Sequence, residues 1–184
     1  MKKLICTFGM VVAFFLITTN ILGQATATSN HTLTMGIPEV CLLSTDAAAI
    51  ALELTTTTAG AQITGGTGTG YAQVASIVSA AETRTITASI TGVPAGTGLV
   101  VDTDIPINGN EGGVLGTGTA SVALVNGAGA VDLITGIGSC FTGTAASDGY
   151  VFSYTWDCAV GSYGSIVATV GSTATVVLTI TDTP

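Results

Sequence analysis

Apolar residues that alternate one-for-one with threonine, serine or alanine recur along this chain. That period of two constrains the fold class more than any other feature. From Arg84 to Ile90, Ile86, Ala88 and Ile90 fall on one side, and Thr85, Thr87 and Ser89 on the other. Ala174, Val176, Leu178 and Ile180 alternate with Thr175, Val177, Thr179 and Thr181. Leu33, Met35 and Ile37 alternate until Pro38 breaks or edges the strand. Ile50, Leu52 and Leu54 alternate against Ala51, Glu53 and Thr55, while Val122 with Leu124 and Val131 with Leu133 mark two further strands. Helix signals are almost missing: Glu is rare, cations are few, and Gly and Thr are everywhere.

Glycine supplies the punctuation. Gly65-Gly66-Thr67-Gly68-Thr69-Gly70 is predicted to be a flexible loop, and Asn108-Gly109-Asn110-Glu111-Gly112-Gly113 a second. Asn126-Gly127 is a tight-turn pair. Turn signals spaced by about 8–12 residues predict an all-β chain, a single antiparallel β-sandwich of Ig-like or Greek-key type. No helix longer than two turns is expected after residue 25. No linker divides the rest, so residues 26–184 are expected to form one domain.

Residues 1–25 have another character. Lys2 and Lys3 precede the apolar run Leu4–Leu22, and small residues follow at Gly23 and Ala25. This is the order of a cleaved secretory signal peptide, with the cut after Ala25; a cut after Gly23 competes. The run is interrupted by Thr7, Gly9, Thr18, Thr19 and Asn20, so it makes a poor membrane span. No later stretch is apolar enough to be a stable anchor. The expected location is secreted, periplasmic or cell-surface.

Loss of the leader leaves Arg84 as the only Lys or Arg against eleven acids, a net charge of −10. One cation cannot neutralise phosphates, so nucleic acid and anionic lipid are poor partners. Only 8% of residues are charged and 47% are hydrophobic, a composition that folds instead of staying disordered. The surface must then be built from Thr, Ser, Ala and Gly. Such a surface is cheap to desolvate and suits packing against copies of itself. A flat threonine array also matches ordered water, but threonine is more simply a good strand former that stays wet without charge.

Three cysteines lie beyond the leader: Cys41, Cys140 and Cys158. Export permits a disulfide, and the short separation of Cys140 and Cys158 makes them the expected pair; Cys41 bridged to either remains open. A cysteine–histidine metal site is disfavoured, because there is no CxxC and His31 stands apart from every cysteine.

Catalytic signals are weak. His31 is the only histidine and lies near the cleavage point, so it lacks the context of a general base. Asn30-His31-Thr32 also fits a glycosylation sequon. Asp102 and Asp104 could share a face as a carboxylate pair, yet nothing near them resembles a sugar subsite. Asp102, Asp104, Asn108, Asn110 and Glu111 concentrate oxygen ligands of the calcium type, without the EF-hand spacing. An ordinary Asx-rich loop is the simpler reading, and no cofactor is expected.

The sharpest pattern is Tyr150-Val151-Phe152-Ser153-Tyr154-Thr155-Trp156. Its four aromatics fall at period two and share one face. The opposite face, Val151, Ser153, Thr155 and Asp157, is mostly polar, which turns Tyr150, Phe152, Tyr154 and Trp156 inward as core. If outward, they would form a stacking platform for a glycan.

Ile37-Pro38-Glu39-Val40, Thr135-Gly136-Ile137-Gly138-Ser139-Cys140 and the alternating Thr175–Asp182 strand together resemble small secreted bacterial β-sandwich proteins of unassigned function. More loosely they resemble pilin-like and spore-coat-U-like subunits. That resemblance implies assembly at the cell surface and carries over no catalytic or ligand-binding residue. The odd cysteine count departs from those proteins. The expected function is a non-enzymatic structural or adhesive protein that associates with itself or an extracellular partner; the alternative is a glycan-binding module using residues 150–156.

Overall fold

The computed structural model describes residues 27–46, 49–56, 58–106, 109–158 and 160–183. The expected signal peptide lies outside them. The chain divides into Met1–Gly36 and a compact unit, Ile37–Pro184. Residues 27–39 contain no strand, and Leu33, Met35 and Ile37 are 70%, 87% and 82% exposed. The strand expected at Leu33–Ile37 is therefore absent: alternation makes a strand only where a neighbouring ladder accepts it.

Among the described residues, eleven strands build two antiparallel sheets. They are β1 (Val40–Thr45), β2 (Gly66–Ile77), β3 (Thr83–Thr91), β4 (Thr97–Asp104), β5 (Gly112–Gly113), β6 (Thr117–Gly118), β7 (Val122–Leu124), β8 (Val131–Ile137), β9 (Cys140–Phe141), β10 (Tyr150–Cys158) and β11 (Thr175–Thr183). The only helical segment among the described residues is a 3-10 turn, Val160–Ser165. One sheet runs β5-β9-β2-β10-β4-β7, with β1 on the other edge of β2; the second runs β11-β3-β8-β6. The all-β sandwich expected from period two is present.

The register sets the core in rows. Across the first sheet, Gly66, Trp156, Leu99 and Leu124 stand in line, then Gly68, Tyr154, Val101 and Val122, then Gly70, Phe152 and Thr103. The second sheet answers with Val131, Ala88 and Leu178, then Ile134, Ile86 and Ile180. Phe152, Val101, Ile86, Leu133 and Ile134 are almost wholly buried.

Two expectations change here. The glycine run at 65–70 is not a loop; from Gly66 it is the first half of β2. Its inward positions are glycines because the space above them is taken. A Cβ on Gly66 would sit 2.6 Å from the Glu53 backbone nitrogen, and one on Gly68 would strike Ile50 and Leu52. In turn, the strand expected at Ile50–Leu54 is only a chain lying across these glycines, with a single bridge, Thr55 to Thr64. The Asn126-Gly127 turn is present, with Ala128 N–H donating to Val125 O at 3.1 Å and Gly127 at φ 72°. It joins β7 to β8 across the two sheets instead of closing a hairpin.

Arg84, expected as the lone cation of the surface, is 2% exposed. It ends the inward face of β3, directly opposite Asp182 of β11 and Ile137 of β8. Its Nε donates to Asp182 Oδ1 at 2.7 Å, and Nη1 donates to Ser76 Oγ at 3.0 Å and to the Val40 carbonyl. One guanidinium thus joins β3 and β11 of one sheet to β1 and β2 of the other.

Arg84→Met is expected to lose about 2–3 kcal/mol in urea unfolding, because the Ser76 and Val40 acceptors lose their donor. Asp182→Asn is expected to lose less than about 1 kcal/mol, since Asp182 is 71% exposed. Equal losses would refute the strap. Gly66→Ala is expected to cost about 1–3 kcal/mol through the Glu53 backbone clash. Gly98→Ala, in open space on β4, is expected to be neutral or slightly stabilising by the same measurement.

Candidate functional site

The core closes at the Tyr150 end of β10 and opens toward Trp156. Tyr150 is fully buried, and its hydroxyl donates to Leu115 O at 2.7 Å. Phe152 and Tyr154 are 1% and 8% exposed, and Trp156 is half-buried. The four aromatics therefore face inward, as the polar opposite face of the strand requires. Beside the last three, the glycines of β2 add no side chain and the layer is thin.

The result is a cleft of about 530 Å³ between the sheets. Phe152, Tyr154, Trp156 and Leu99 line it from one sheet, and Val176 and Leu178 from β11. Ile50 and Leu52 line it from the segment that crosses the glycines. Among its lining residues Asp46 is the only charged one, and none is Lys, Arg or His. Asp46 Oδ1 accepts the Tyr71 N–H at 2.9 Å. The Trp156 Nε1–H is buried and has no hydrogen-bond partner among the described residues. Burial, and secondarily the Asp46 carboxylate, push the Tyr154 hydroxyl up to about 12.

The cysteines are not brought together. Cys41, Cys140 and Cys158 are free thiols, the first exposed and the other two buried. This corrects the expected Cys140–Cys158 bridge. Cys140 stands opposite Ser76 of β2, whereas Trp156, two residues before Cys158, stands opposite Gly66. That length of strand places the two thiols at opposite ends of the sheet, roughly 40 Å apart at about 3.3 Å per residue. Cys41 also stands opposite Ser76, on the other edge of β2 from Cys140. Two strand spacings, roughly 10 Å, separate them, beyond disulfide reach. Burial pushes the Cys140 thiol up, partly offset by the Tyr150 hydroxyl and Arg84.

The oxygen-rich stretch is also dispersed. Asp102 and Asp104 share the outer face of β4, where Asp102 Oδ1 accepts the Ser121 N–H at 2.6 Å and its hydroxyl at 3.2 Å. Asn110 Nδ2 donates to Asp148 Oδ1 at 3.3 Å, and Glu111 Oε2 is buried without a hydrogen bond to any described residue. Asn108 lies outside the described residues. Among the described residues no three His, Cys, Asp or Glu side chains group as metal ligands would. His31 is exposed.

Sequence reasoning found the aromatic floor and missed the walls. Asp46, Ile50, Leu52 and Leu99 join it through tertiary packing. The one available signal was the match of Gly66, Gly68 and Gly70 to the spacing of Trp156, Tyr154 and Phe152.

The fold and cleft define a two-sheet β-sandwich with an aromatic interior slot. No family model, curated protein or solved structure matches the chain. No helix among the described residues is long and apolar enough to cross a membrane.

Tyr154 makes stability fall in alkali. Below about pH 10 it holds its proton both folded and unfolded. As the pH rises further the unfolded chain ionises first, so stability drains between about pH 10 and about 12. Tyr154→Phe is expected to flatten that part of the melting-temperature profile. A variant profile parallel to the parent's would contradict the buried, protonated hydroxyl.

Proposed function

We propose that this chain is a secreted, non-enzymatic structural or adhesive protein of the cell surface. In this reading its copies associate through strand edges, in the manner of a pilin-like subunit. The observation that carries it is the outer edge of β11. This nine-residue strand pairs with β3 on one side, and no strand among the described residues pairs with its other side. It has no lysine and no proline, the residues that usually blunt such edges, and Val177 on it is 52% exposed. Residues 32–37 offer a complement: an extended-type alternation whose apolar members Leu33, Met35 and Ile37 are all exposed. Added to a neighbour's sheet, such a segment gains main-chain hydrogen bonds and buries its apolar set.

Export rests on the charged, apolar, small-residue order of residues 1–25. A non-enzymatic role is supported by the lone exposed histidine and the dispersal of the carboxylates. The glycan-platform alternative loses support because the aromatic stripe faces the interior.

Light scattering after size exclusion, on residues 26–184, is expected to show concentration-dependent oligomers. Removal of residues 26–37 is expected to leave a monomer of unchanged melting temperature. Thr179→Lys, a charge on the β11 edge, is expected to weaken assembly likewise. A strict monomer at every concentration would remove the proposal.

A further inference from the structure

We propose that the cleft between the sheets binds an organic cation, a tertiary or quaternary ammonium on an apolar body, with Asp46 as its counter-charge and the rings of Tyr154 and Trp156 as its floor. The cleft lies wholly within the unit Ile37–Pro184. Its volume, about 530 Å³, falls within the range of small-molecule sites, roughly 300–1,000 Å³. The bare strip on β2 brings charge and ring together. A Cβ on Gly70 would lie 3.7 Å from Asp46 Oδ1, 3.6 Å from Tyr154 Cε2 and 3.0 Å from Ile50 Cδ1. The inward side of Gly70 is thus where a carboxylate, an aromatic edge and an aliphatic wall converge. Asp46 Oδ1 is held there by the Tyr71 N–H at 2.9 Å, while Oδ2 accepts no hydrogen bond among the described residues. Burial first, and this carboxylate second, push the Tyr154 hydroxyl up to about 12, so the two groups share one field.

Charge selects the ligand. Among the described residues no Lys, Arg or His lines the cleft, and Asp46 makes no ion pair. Beyond residue 25 the only Lys or Arg is Arg84, which is buried and bonded to Asp182. The surrounding field is therefore negative and favours entry of a cation. An anion meets that field and the Asp46 carboxylate. A neutral apolar molecule strips water from the carboxylate and returns nothing to it. A metal ion needs several oxygen ligands, and one carboxylate does not supply them. Aromatic faces attract a cation, most strongly where water is displaced, and quaternary ammonium groups are the usual guests. Their alkyl groups also suit the aliphatic walls of Leu99, Val176 and Leu178. The site needs no second copy, so this inference stands or falls separately from the strand-edge assembly.

Benzyltrimethylammonium and its neutral isostere neopentylbenzene differ by one charged atom, and phenylacetate supplies an anion. On residues 26–184 at low salt, calorimetry is expected to show benzyltrimethylammonium binding about tenfold more tightly than neopentylbenzene, as a cation–π contact beside a half-buried carboxylate implies. Phenylacetate is expected not to bind. Asp46→Asn keeps an oxygen for the Tyr71 N–H and removes the charge. It is expected to weaken the cation about fivefold and to leave neopentylbenzene little changed. In nuclear magnetic resonance, the N-methyl protons are expected to give Overhauser contacts to the Tyr154 and Trp156 rings. Equal binding of the two isosteres overturns the site. So does unchanged cation binding in folded Asp46→Asn, or N-methyl contacts to residues outside the cleft. Cation binding that appears only after removal of residues 26–37 gives the cleft to that arm and overturns the assignment equally.

Discussion

The sandwich depends on one buried cation. Arg84 occupies an inward position of β3, where the rows above it hold Ile86, Ala88 and Ile90. A guanidinium there is tolerable only because its donors meet acceptors from three other strands. The hydrogen bond to Asp182 raises its pKa against the opposing effect of burial. The geometry that satisfies it also sets the geometry of the fold. Asp182 must lie opposite in β11, and Ser76 and Val40 must face it from the other sheet. A slip of one residue in β11 would turn Asp182 to the other face and strand the charge.

At the other end of the sandwich the spacing is held by glycine. Large aromatics on β10 need room beside them, and Gly66, Gly68 and Gly70 on β2 provide it. The same bare strip lets residues 49–53 lie directly on the sheet, where Ile50 and Leu52 cover what side chains would otherwise fill. The two effects oppose one another in volume. The crossing segment closes part of the gap, and the remainder is the cleft. Its polar residues are few, and Asp46 is the only charged residue among those that line it.

The outer surface follows from the scarcity of charge. Threonines on β3 and β11 stand in register, and Thr85 and Thr183 share a side-chain hydrogen bond at 2.8 Å. Such contacts keep a strand wet at low desolvation cost. They also leave the β11 edge with no lysine or proline and with Asp182 as its one charged residue. Core, edge and cleft thus come from one compositional choice: β-branched and small residues in place of long charged ones.

Period two determined the class of fold by itself, because a strand must put alternate residues on opposite faces whatever surrounds it. It located β3, β8, β10 and β11, and the polar back of β10 showed which way its aromatics point. It misjudged segments whose state is set by partners. Leu33–Ile37 and Ile50–Leu54 alternate but have no ladder, while Gly66–Gly70 looks like a loop and becomes a strand because β10 lies beside it. The cysteine pairing failed for a related reason. Closeness in sequence says nothing about distance when the intervening chain folds back along a long strand. The burial of Arg84 and the walls of the cleft were decided only in three dimensions, since both rest on residues that register and sheet stacking bring together, as with Asp182, 98 positions from Arg84, and Val40, 44 positions from it.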